Sequence, residues 1–229
     1  MNKIYANGAL IQANLYTGIP DPNLYFTLTD ATESVTEAVL TNNGVTFGTD
    51  YAIFDGSSYL EIPSSIYNLF SSLNSIFFCC WFNLDSNAPS EQWFWAVGHG
   101  ETDFGVYINS DYSHINMNTR ASNGQWGPDN DIHALVHDGA WHFCAFYSKS
   151  GGAQFACIDT TYQTNTNQDA FYTGTMYNGT IGVRDTNING DRFLGNMAQF
   201  RFLFGKTLDF ATFQNYCAAY KAEFTPPSA

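Results

Sequence analysis

Basic side chains are scarce in this chain. Only 8 of its 229 residues are Lys or Arg, against 21 Asp and Glu, which gives a net charge of −13. Nucleic acids and anionic membrane surfaces are bound largely through Lys and Arg, so we predict neither kind of partner. The acidity favours a neutral partner, a cation, or solubility alone.

Long hydrophobic runs are missing as well. No segment approaches the ~18 apolar residues that a membrane-spanning helix needs. The first eight residues contain no basic segment followed by an apolar core, so we expect no secretory signal peptide. We therefore expect a protein that is made in a cytoplasm, and that stays there or leaves by assembly or lysis.

Familiar catalytic and zinc-binding motifs are absent from the sequence: there is no GxSxG, HExxH or CxxC. Most of the five cysteines lie in apolar, strand-like runs, where a thiol acts as a small apolar side chain. Cys144 and Cys157 fall on the two arms of one predicted hairpin. Either these two form a disulfide, or all five cysteines are buried free thiols: Cys79, Cys80, Cys144, Cys157 and Cys217.

Aromatic residues, by contrast, are abundant, with 20 Phe, 14 Tyr and 5 Trp. Aromatic side chains favour the pleated, half-buried surface of a sheet, so the composition indicates a β protein. The clearest element runs from Asp138 to Thr160, where two apolar runs of strand length flank a turn rich in Gly and Ser. That pattern predicts a β-hairpin.

A long strand is predicted from Ser75 to Leu84, and both of its faces are largely apolar. An ordinary sandwich strand has one wet face, so the second face needs a cover. A loop, the N-terminal arm or another subunit would provide it. The last alternative makes this face a candidate assembly surface and the protein a candidate homo-oligomer, with Phe77, Cys79 and Trp81 as the contact residues.

Four phrases occur in a particular order: Phe54-Asp-Gly-x-x-Tyr-Leu-x-Ile, the strand at 75–84, the Asp138-Gly-x-Trp-His hairpin, and the Gly195–Phe204 strand before a helical spacing of Phe210, Phe213 and Cys217. In this order they resemble the laminin-G-like, concanavalin A-like lectin/glucanase jelly rolls over about residues 22–220. The resemblance implies an all-β antiparallel sandwich with a short C-terminal helix. The expected organisation is an N-terminal arm or first strand (1–21), the jelly-roll domain (22–224) and a flexible tail (225–229).

The resemblance also indicates where catalysis would lie. Laminarinase-like glycosidases of this fold carry E-x-D-x-x-E on one strand, which supplies the nucleophile and the acid. Here Glu101 and Asp103 begin the pattern, but Val106 replaces the final Glu. Without that acid/base the mechanism fails, so we predict a protein that is not an enzyme.

Calcium is a further expectation of the resemblance, because many members carry a structural or ligand-bridging Ca²⁺. The closing strand usually provides an Asp, and this chain has Ala198 there. The remaining oxygen donors are loop acids, either Asp129 and Asp131 or Asp185 and Asp191. The alternative is that these carboxylates are simply solvated.

Glycan binding needs an aromatic face and planar hydrogen-bonding groups. Trp126, in a polar loop that continues to Asp129 and Asn130, is the first candidate; alternatively, it pins its own loop to the domain. The alternation of the predicted strand at 114–120 puts a polar row on one sheet surface. The candidates that extend the site are Tyr107, His114, Asn116 and Arg120.

These observations favour a non-enzymatic binding or structural module. Our leading interpretation is a surface decoration protein of a bacteriophage virion, on the capsid or the tail, made in the host cytoplasm. Its partners would be other virion or assembly proteins, with cell-surface glycans as a further partner. The alternatives are a carbohydrate-active enzyme or an exported lectin on the same fold.

Overall fold

Strands account for most of the regular structure. The computed structural model describes residues 4–6, 9–11, 19–88, 91–99, 101–109, 114–119, 130–133, 136–165, 170–184 and 191–227. In chain order the strands are β1 (Ile4–Ala6), β2 (Ala9–Ile11), β3 (Leu24–Phe26), β4 (Thr41–Asn43), β5 (Thr46–Phe47), β6 (Ala52–Asp55), β7 (Tyr59–Glu61), β8 (Ser75–Leu84), β9 (Gln92–His99), β10 (Glu101–Ile108), β11 (His114–Thr119), β12 (Asn130–His133), β13 (Trp141–Lys149), β14 (Gln154–Ile158), β15 (Thr161–Asn165), β16 (Asn178–Ile181) and β17 (Leu194–Phe204). The helices are α1 (Ser64–Tyr67), a 3₁₀ turn (Asn68–Ser72) and α2 (Phe210–Ala222).

Two antiparallel sheets form a sandwich, which confirms the predicted fold class. One sheet has the order β12-β11-β10-β9-β16-β7-β4, and the other has the order β15-β14-β13-β8-β17-β6-β5, with β3 paired to β17. The main core fills the space between them. At its centre Phe78 and Trp95, one from each sheet, have ring centroids 5.4 Å apart, and Trp95 lies 5.0 Å from Phe202. Rings in such contact contribute packing beyond the area that they bury.

The central hairpin forms as predicted. β13 and β14 pair with Cys144 opposite Ile158 and Ser148 opposite Gln154. Cys144 faces the main core, whereas Cys157 belongs to the second core on the other side of the sheet. A disulfide between these two cysteines is therefore excluded, and all five cysteines are free and buried.

The second apolar face of β8 is covered by α2, which corrects the predicted assembly surface. Phe77, Cys79 and Trp81 are at most 7% exposed and pack in a second core with residues of the helix. The Phe77 ring lies 5.9 Å from that of Phe213. The helix of this same chain provides the cover, so these three side chains present no open face to another subunit.

Helix α2 begins at a capped end. The Asp209 side chain accepts a hydrogen bond from the backbone N–H of Thr212 at 2.7 Å, which satisfies a donor that the helix itself leaves free. Between β7 and β8, α1 and the 3₁₀ turn form a short helical segment. Among the described residues, no helix is long and apolar enough to cross a membrane.

Three polar segments pair as strands at the ends of the sheets. β15 pairs with β14 through Thr161 to Asn165, β12 pairs with β11, and β4 pairs with β7. Each of the three is the last strand at a sheet edge, where one side of a polar strand can face water. The N-terminal stretch forms the hairpin β1–β2, a separate two-stranded sheet.

Candidate functional site

The outer face of the seven-stranded sheet carries part of the polar row noted in the sequence. Core side chains of β10 and β11, such as Val106, point between the two sheets. Alternation along a strand turns the side chains between them outward. The residues on the outer face are Tyr107 of β10 and His114, Asn116 and Asn118 of β11.

A β-bulge brings Trp93 to the same face. Val106 pairs with Trp95, but the next residue, Tyr107, pairs with Trp93, so Phe94 of β9 is left over. Phe94 and Trp95 are both buried in the main core. Because an extra residue reverses the alternation beyond it, Trp93 lies outside the core, beside Tyr107.

The two aromatic rings are stacked. The centroids of Trp93 and Tyr107 lie 4.7 Å apart, with 16° between the ring planes. The indole Nε1–H of Trp93 donates to Glu91 Oε1 at 2.5 Å, and the Arg184 guanidinium lies 5.6 Å from the indole centroid. A Cβ on Gly105 would come within 2.5 Å of the indole. Glycine at this position therefore lets the ring lie against β10.

Strand pairing aligns the outward residues across the sheet. Tyr107 has Trp93 as its partner on one side and Asn116 on the other. Asn116 in turn pairs with Asp131 of β12. We call the following set the outer stripe: Trp93, Tyr107, His114, Asn116 and Asn118.

Asn118 carries an unused acceptor. The residue is 4% exposed, and its buried Oδ1 has no hydrogen-bond partner. Its strand partner, Gly105, has no side chain to offer. A buried polar atom without a partner costs about 1–3 kcal/mol. A ligand hydroxyl that donated to Oδ1 would remove this cost.

Exposure differs along the outer stripe. Trp93 and Asn116 are buried, whereas Tyr107 and His114 are half-buried. The backbone N–H of His114 donates to Asn109 Oδ1 at 3.0 Å, and the Asn109 amide nitrogen lies 3.2 Å from His114 Nδ1. A ligand would therefore meet Tyr107 and His114 first.

Acidic groups dominate the charge at the Trp93 end. Burial raises the pKa of Glu91, and the hydrogen bond from Trp93 only partly offsets it. The nearby Asp191 raises this pKa further, and Arg184 lowers it. Arg184 also lies 3.9 Å from the Asp191 carboxylate. Among the residues that the structure describes here, the Arg184 cation thus lies near two carboxylates.

The structure brings some of the predicted glycan-binding residues together. Tyr107, His114 and Asn116 share the outer face, as predicted. The backbones of Asn130 and Asp131 lie on the neighbouring strand β12, opposite Met117 and Asn116. The other predicted residues lie outside the described part of the chain: Trp126, Asp129 and Arg120.

Sequence reasoning missed Trp93 and Arg184, and it left Asn118 out of the candidates although the alternating row contains it. Trp93 lies in an apolar run, which favours a position in the core, and only the bulge at Phe94 turns its side chain outward. Asn118 belongs to the same alternating row as Asn116, so the pattern contained the signal for it. Nothing in the local sequence places Arg184 over the indole.

His142 lies between two carboxylates. Its Nδ1 lies 2.7 Å from Asp159 Oδ2, and its Nε2 lies 3.0 Å from Asp138 Oδ1. Burial lowers the pKa of His142, but the two hydrogen bonds outweigh burial and raise it. The Phe143 N–H donates to Asp159 Oδ1 at 3.0 Å. These contacts connect the start of β13 with the residue that follows β14 and so stabilise the hairpin.

The usual calcium position of the fold does not suit the ion here. Ala198 is fully buried in the second core and has no oxygen on its side chain. Asp191, one of the predicted alternatives, is beside Arg184. In the part of the chain that the structure describes, no three His, Cys, Asp or Glu side chains group as metal ligands. Asp129 and Asp185 lie outside that part, as does the side chain of Asp131.

The family can be stated from a sequence comparison. The family model described as the concanavalin A-like lectin/glucanases superfamily matches residues 54–208. The chain belongs to this superfamily. No curated protein sequence matches the chain.

Solved structures that resemble this superfamily member include binding domains of botulinum neurotoxins. The serotype C1 binding domain is 11% identical, with a TM-score of 0.63, over 89% of this chain and 52% of that one. A second structure concerns botulinum neurotoxin type C, whose cell entry is described as dependent on interaction with two ganglioside molecules. It is 12% identical, with a TM-score of 0.62, over 89% of this chain and 52% of that one. A type DC domain in complex with SialylT is 12% identical, with a TM-score of 0.62, over 84% and 48%. This chain spans about half of each, and the likeness establishes the fold alone.

The structure gives a second reason why the E-x-D-x-x-E pattern of the glycosidases of this superfamily is incomplete here. The position that would carry its final Glu is Val106, which is 0% exposed and points into the main core. A carboxylate there would face the core and not the outer stripe. The strand that begins with Glu101 and Asp103 therefore has no third carboxylate at this position.

Proposed function

We propose that this chain is a non-enzymatic carbohydrate-binding module that holds a neutral glycan at the outer stripe. The observation that carries the proposal is the Trp93–Tyr107 stack beside the unpartnered Asn118 Oδ1, on the outer face of one sheet. Sugars present apolar C–H faces and hydroxyl groups, so a site for them combines aromatic rings with oriented polar groups.

Each part of the outer stripe has a role in this proposal. Tyr107 is half-buried and presents the accessible ring, which the stack on Trp93 holds in place. A ring that is already fixed loses little conformational entropy when a ligand binds. His114 offers a polar group at the more open end, and a shift of neighbouring side chains on binding lets a sugar hydroxyl donate to Asn118 Oδ1, which is buried in the free protein.

The charge of the site favours neutral sugars. Glu91 and Asp191 flank Arg184, and the chain as a whole carries a net charge of −13. A sialic or uronic acid would meet this negative field, and its carboxylate would have to compete with Asp191 for Arg184. The neurotoxin structures that concern gangliosides and SialylT offer a precedent for glycan recognition on this fold, but at 12% identity they do not identify the sugar.

A glycan array followed by titration calorimetry tests the proposal. We expect binding to neutral oligosaccharides and at least about tenfold weaker binding to their sialylated counterparts. Tyr107→Ala should weaken the binding by a similar factor. Tyr177→Ala is the matched control, because Tyr177 is 59% exposed and its N–H bonds to Gly98, five residues from Trp93 along β9 and so about 16 Å away. An array without any hit, or equal losses in both variants, would refute the proposal.

Enzymatic action is tested separately. The wild-type protein and Glu101→Gln are incubated with a panel of β-glucans, and the reducing ends are measured. We expect no turnover from either protein. Turnover by the wild type that Glu101→Gln abolishes would overturn the non-enzymatic assignment and favour the glycosidase alternative.

Display on a bacteriophage particle is a further proposal, which rests on the sequence alone. In it, the module decorates a capsid or tail and contacts other virion proteins. Mass spectrometry of particles purified from a lysate would detect the chain at a fixed copy number per particle. Its absence from purified particles would refute this proposal and leave glycan binding to be judged by the array.

A further inference from the structure

Two thiols from neighbouring strands meet in the main core. Cys80 of β8 and Cys144 of β13 are register partners, and their Sγ atoms lie 3.4 Å apart. Residues directly opposite in an antiparallel pair have Cα atoms about 4.5–5.5 Å apart, which lies within the range of about 4.4–6.8 Å found in disulfides. Side-chain rotation alone would therefore bring the two sulfur atoms to bonding distance.

The other three cysteines lie on the opposite face of the same sheet. Cys79, Cys157 and Cys217 pack in the second core, between the sheet and α2. Although Cys79 is adjacent to Cys80 in the chain, alternation points it away from Cys144. The fold thus gives Cys144 one thiol neighbour on its own face, Cys80.

We propose that Cys80 and Cys144 form an intrachain disulfide when the chain folds in the presence of a disulfide oxidant such as oxidised glutathione. The thiolate of one cysteine attacks the oxidant and releases one reduced glutathione. The second thiolate then attacks the protein sulfur of this mixed disulfide and releases another. Two protons and two electrons leave the protein, and one oxidised glutathione becomes two reduced ones.

We expect this disulfide to form while the chain folds and to form only slowly in the folded protein. Both thiols are 0% exposed. Burial is the main cause that raises the pKa of Cys80, and its hydrogen bond with Cys144 adds to this. Since the thiolate is the attacking species, the finished core suppresses the exchange. Refolding exposes both thiols, and strand pairing then brings them together.

The test compares refolding with and without oxidant. The chain is unfolded under reducing conditions and refolded with a mixture of oxidised and reduced glutathione, or with a reductant alone, and the free thiols are then alkylated. We expect the oxidised product to have one disulfide, about 2 Da less mass before alkylation, and a Tm higher by about 5–10 °C. Folded protein treated with the same mixture should react much more slowly.

Trypsin identifies the linked cysteines, because cleavage after Lys and Arg separates the possible partners. Residues 121–149 contain only Cys144, residues 150–184 only Cys157, and residues 207–221 only Cys217. We expect the fragment of residues 4–120 to be linked to that of residues 121–149. A product that keeps its reduced mass, or whose link involves residues 150–184 or 207–221, would overturn the proposal.

Variants distinguish Cys80 from its neighbour. Cys79→Ala should still form the link, and Cys80→Ala should lose it. Formation of the same link in Cys80→Ala would show that Cys79 is the partner and would refute the assignment. Since the peptide map of the wild type already decides which fragments are joined, the test stands even if the Cys80 variant fails to fold.

Discussion

Arg201 of β17 and Glu223 at the end of α2 form an ion pair, with 2.8 Å between Nη2 and Oε2. The Arg201 side chain is only 5% exposed. Its guanidinium lies 4.6 Å from the ring centroid of Tyr25 and 5.0 Å from that of Tyr220. The pair therefore joins the covering helix to the sheet, with its cation buried and its carboxylate partly exposed.

Removal of the Glu223 carboxylate should destabilise the fold. In Glu223→Ala, Arg201 stays buried with one compensating charge fewer, so we expect the free energy of unfolding to fall by about 1–3 kcal/mol. Urea denaturation measures it. Asp191→Asn is the control, because its pair with Arg184 is longer, at 3.9 Å, and has the more exposed cation, and because Asn tolerates the left-handed backbone of this residue; it should cost less than about 1 kcal/mol. Equal losses would contradict the role given to Glu223.

The helix that covers β8 shows which features of the fold can be predicted from the sequence and which cannot. Alternation along residues 75–84 predicts two apolar faces, and the spacing of Phe210, Phe213 and Cys217 predicts a helix. Both predictions are confirmed. What the local patterns do not contain is that this helix packs on that strand, since the contact of Phe213 with Phe77 joins segments more than a hundred residues apart.

The candidate site was harder to predict for a related reason. Period-two alternation finds Tyr107, His114 and Asn116, because each strand obeys it locally. The apolar run around Trp93 favours the core instead, because the bulge that turns this side chain outward depends on how β9 pairs with β10. The space for the indole depends in turn on Gly105, on the neighbouring strand.

The His142 cluster should make stability depend on pH. The folded pKa of His142 is raised above the unfolded value of about 6.5, because hydrogen bonds to Asp159 and Asp138 outweigh burial. Its contribution is therefore complete below about pH 6.5 and is lost as the pH rises through the folded pKa. The unfolding free energy lost in His142→Gln should be larger near about pH 6 than near about pH 9.

The two carboxylates beside His142 contribute to stability in a different range of pH. The pKa values of Asp138 and Asp159 are lowered, chiefly by hydrogen bonds from His142 and from backbone N–H groups, against the opposing effect of burial. Their contribution is present above about pH 4 and is lost as the pH falls through the folded values. Lys221, whose Nζ lies 3.8 Å from Asp159 Oδ1, also faces the cluster. In an Asp138→Asn background the pH dependence should shrink, and a loss that did not vary with pH would rule out the linkage.

Gly105→Ala should disturb the aromatic stack. The new Cβ would lie 2.5 Å from the Trp93 ring and 2.8 Å from the carbonyl oxygen of Trp95, so the indole must move. We expect a loss of about 1–3 kcal/mol in unfolding free energy and a change in tryptophan fluorescence. Gly152→Ala is the control, because its Cβ would meet only the flexible side chain of Lys149, and it should cost less than about 0.5 kcal/mol. Unchanged fluorescence in Gly105→Ala would show that the stack tolerates the methyl group.

Asn118→Leu separates binding from stability. Since Oδ1 of Asn118 has no partner, its removal breaks no hydrogen bond at that atom, and the unfolding free energy should stay the same or rise by about 1 kcal/mol. Asn83→Leu is the matched control, because the Asn83 amide donates to the Gly139 carbonyl oxygen and its Oδ1 accepts from Asn196, and it should lose about 1–3 kcal/mol. Glycan affinity should show the reverse order, falling about tenfold in Asn118→Leu and little in Asn83→Leu. If Asn118→Leu bound glycan like the wild type, Oδ1 would not be the acceptor for the sugar.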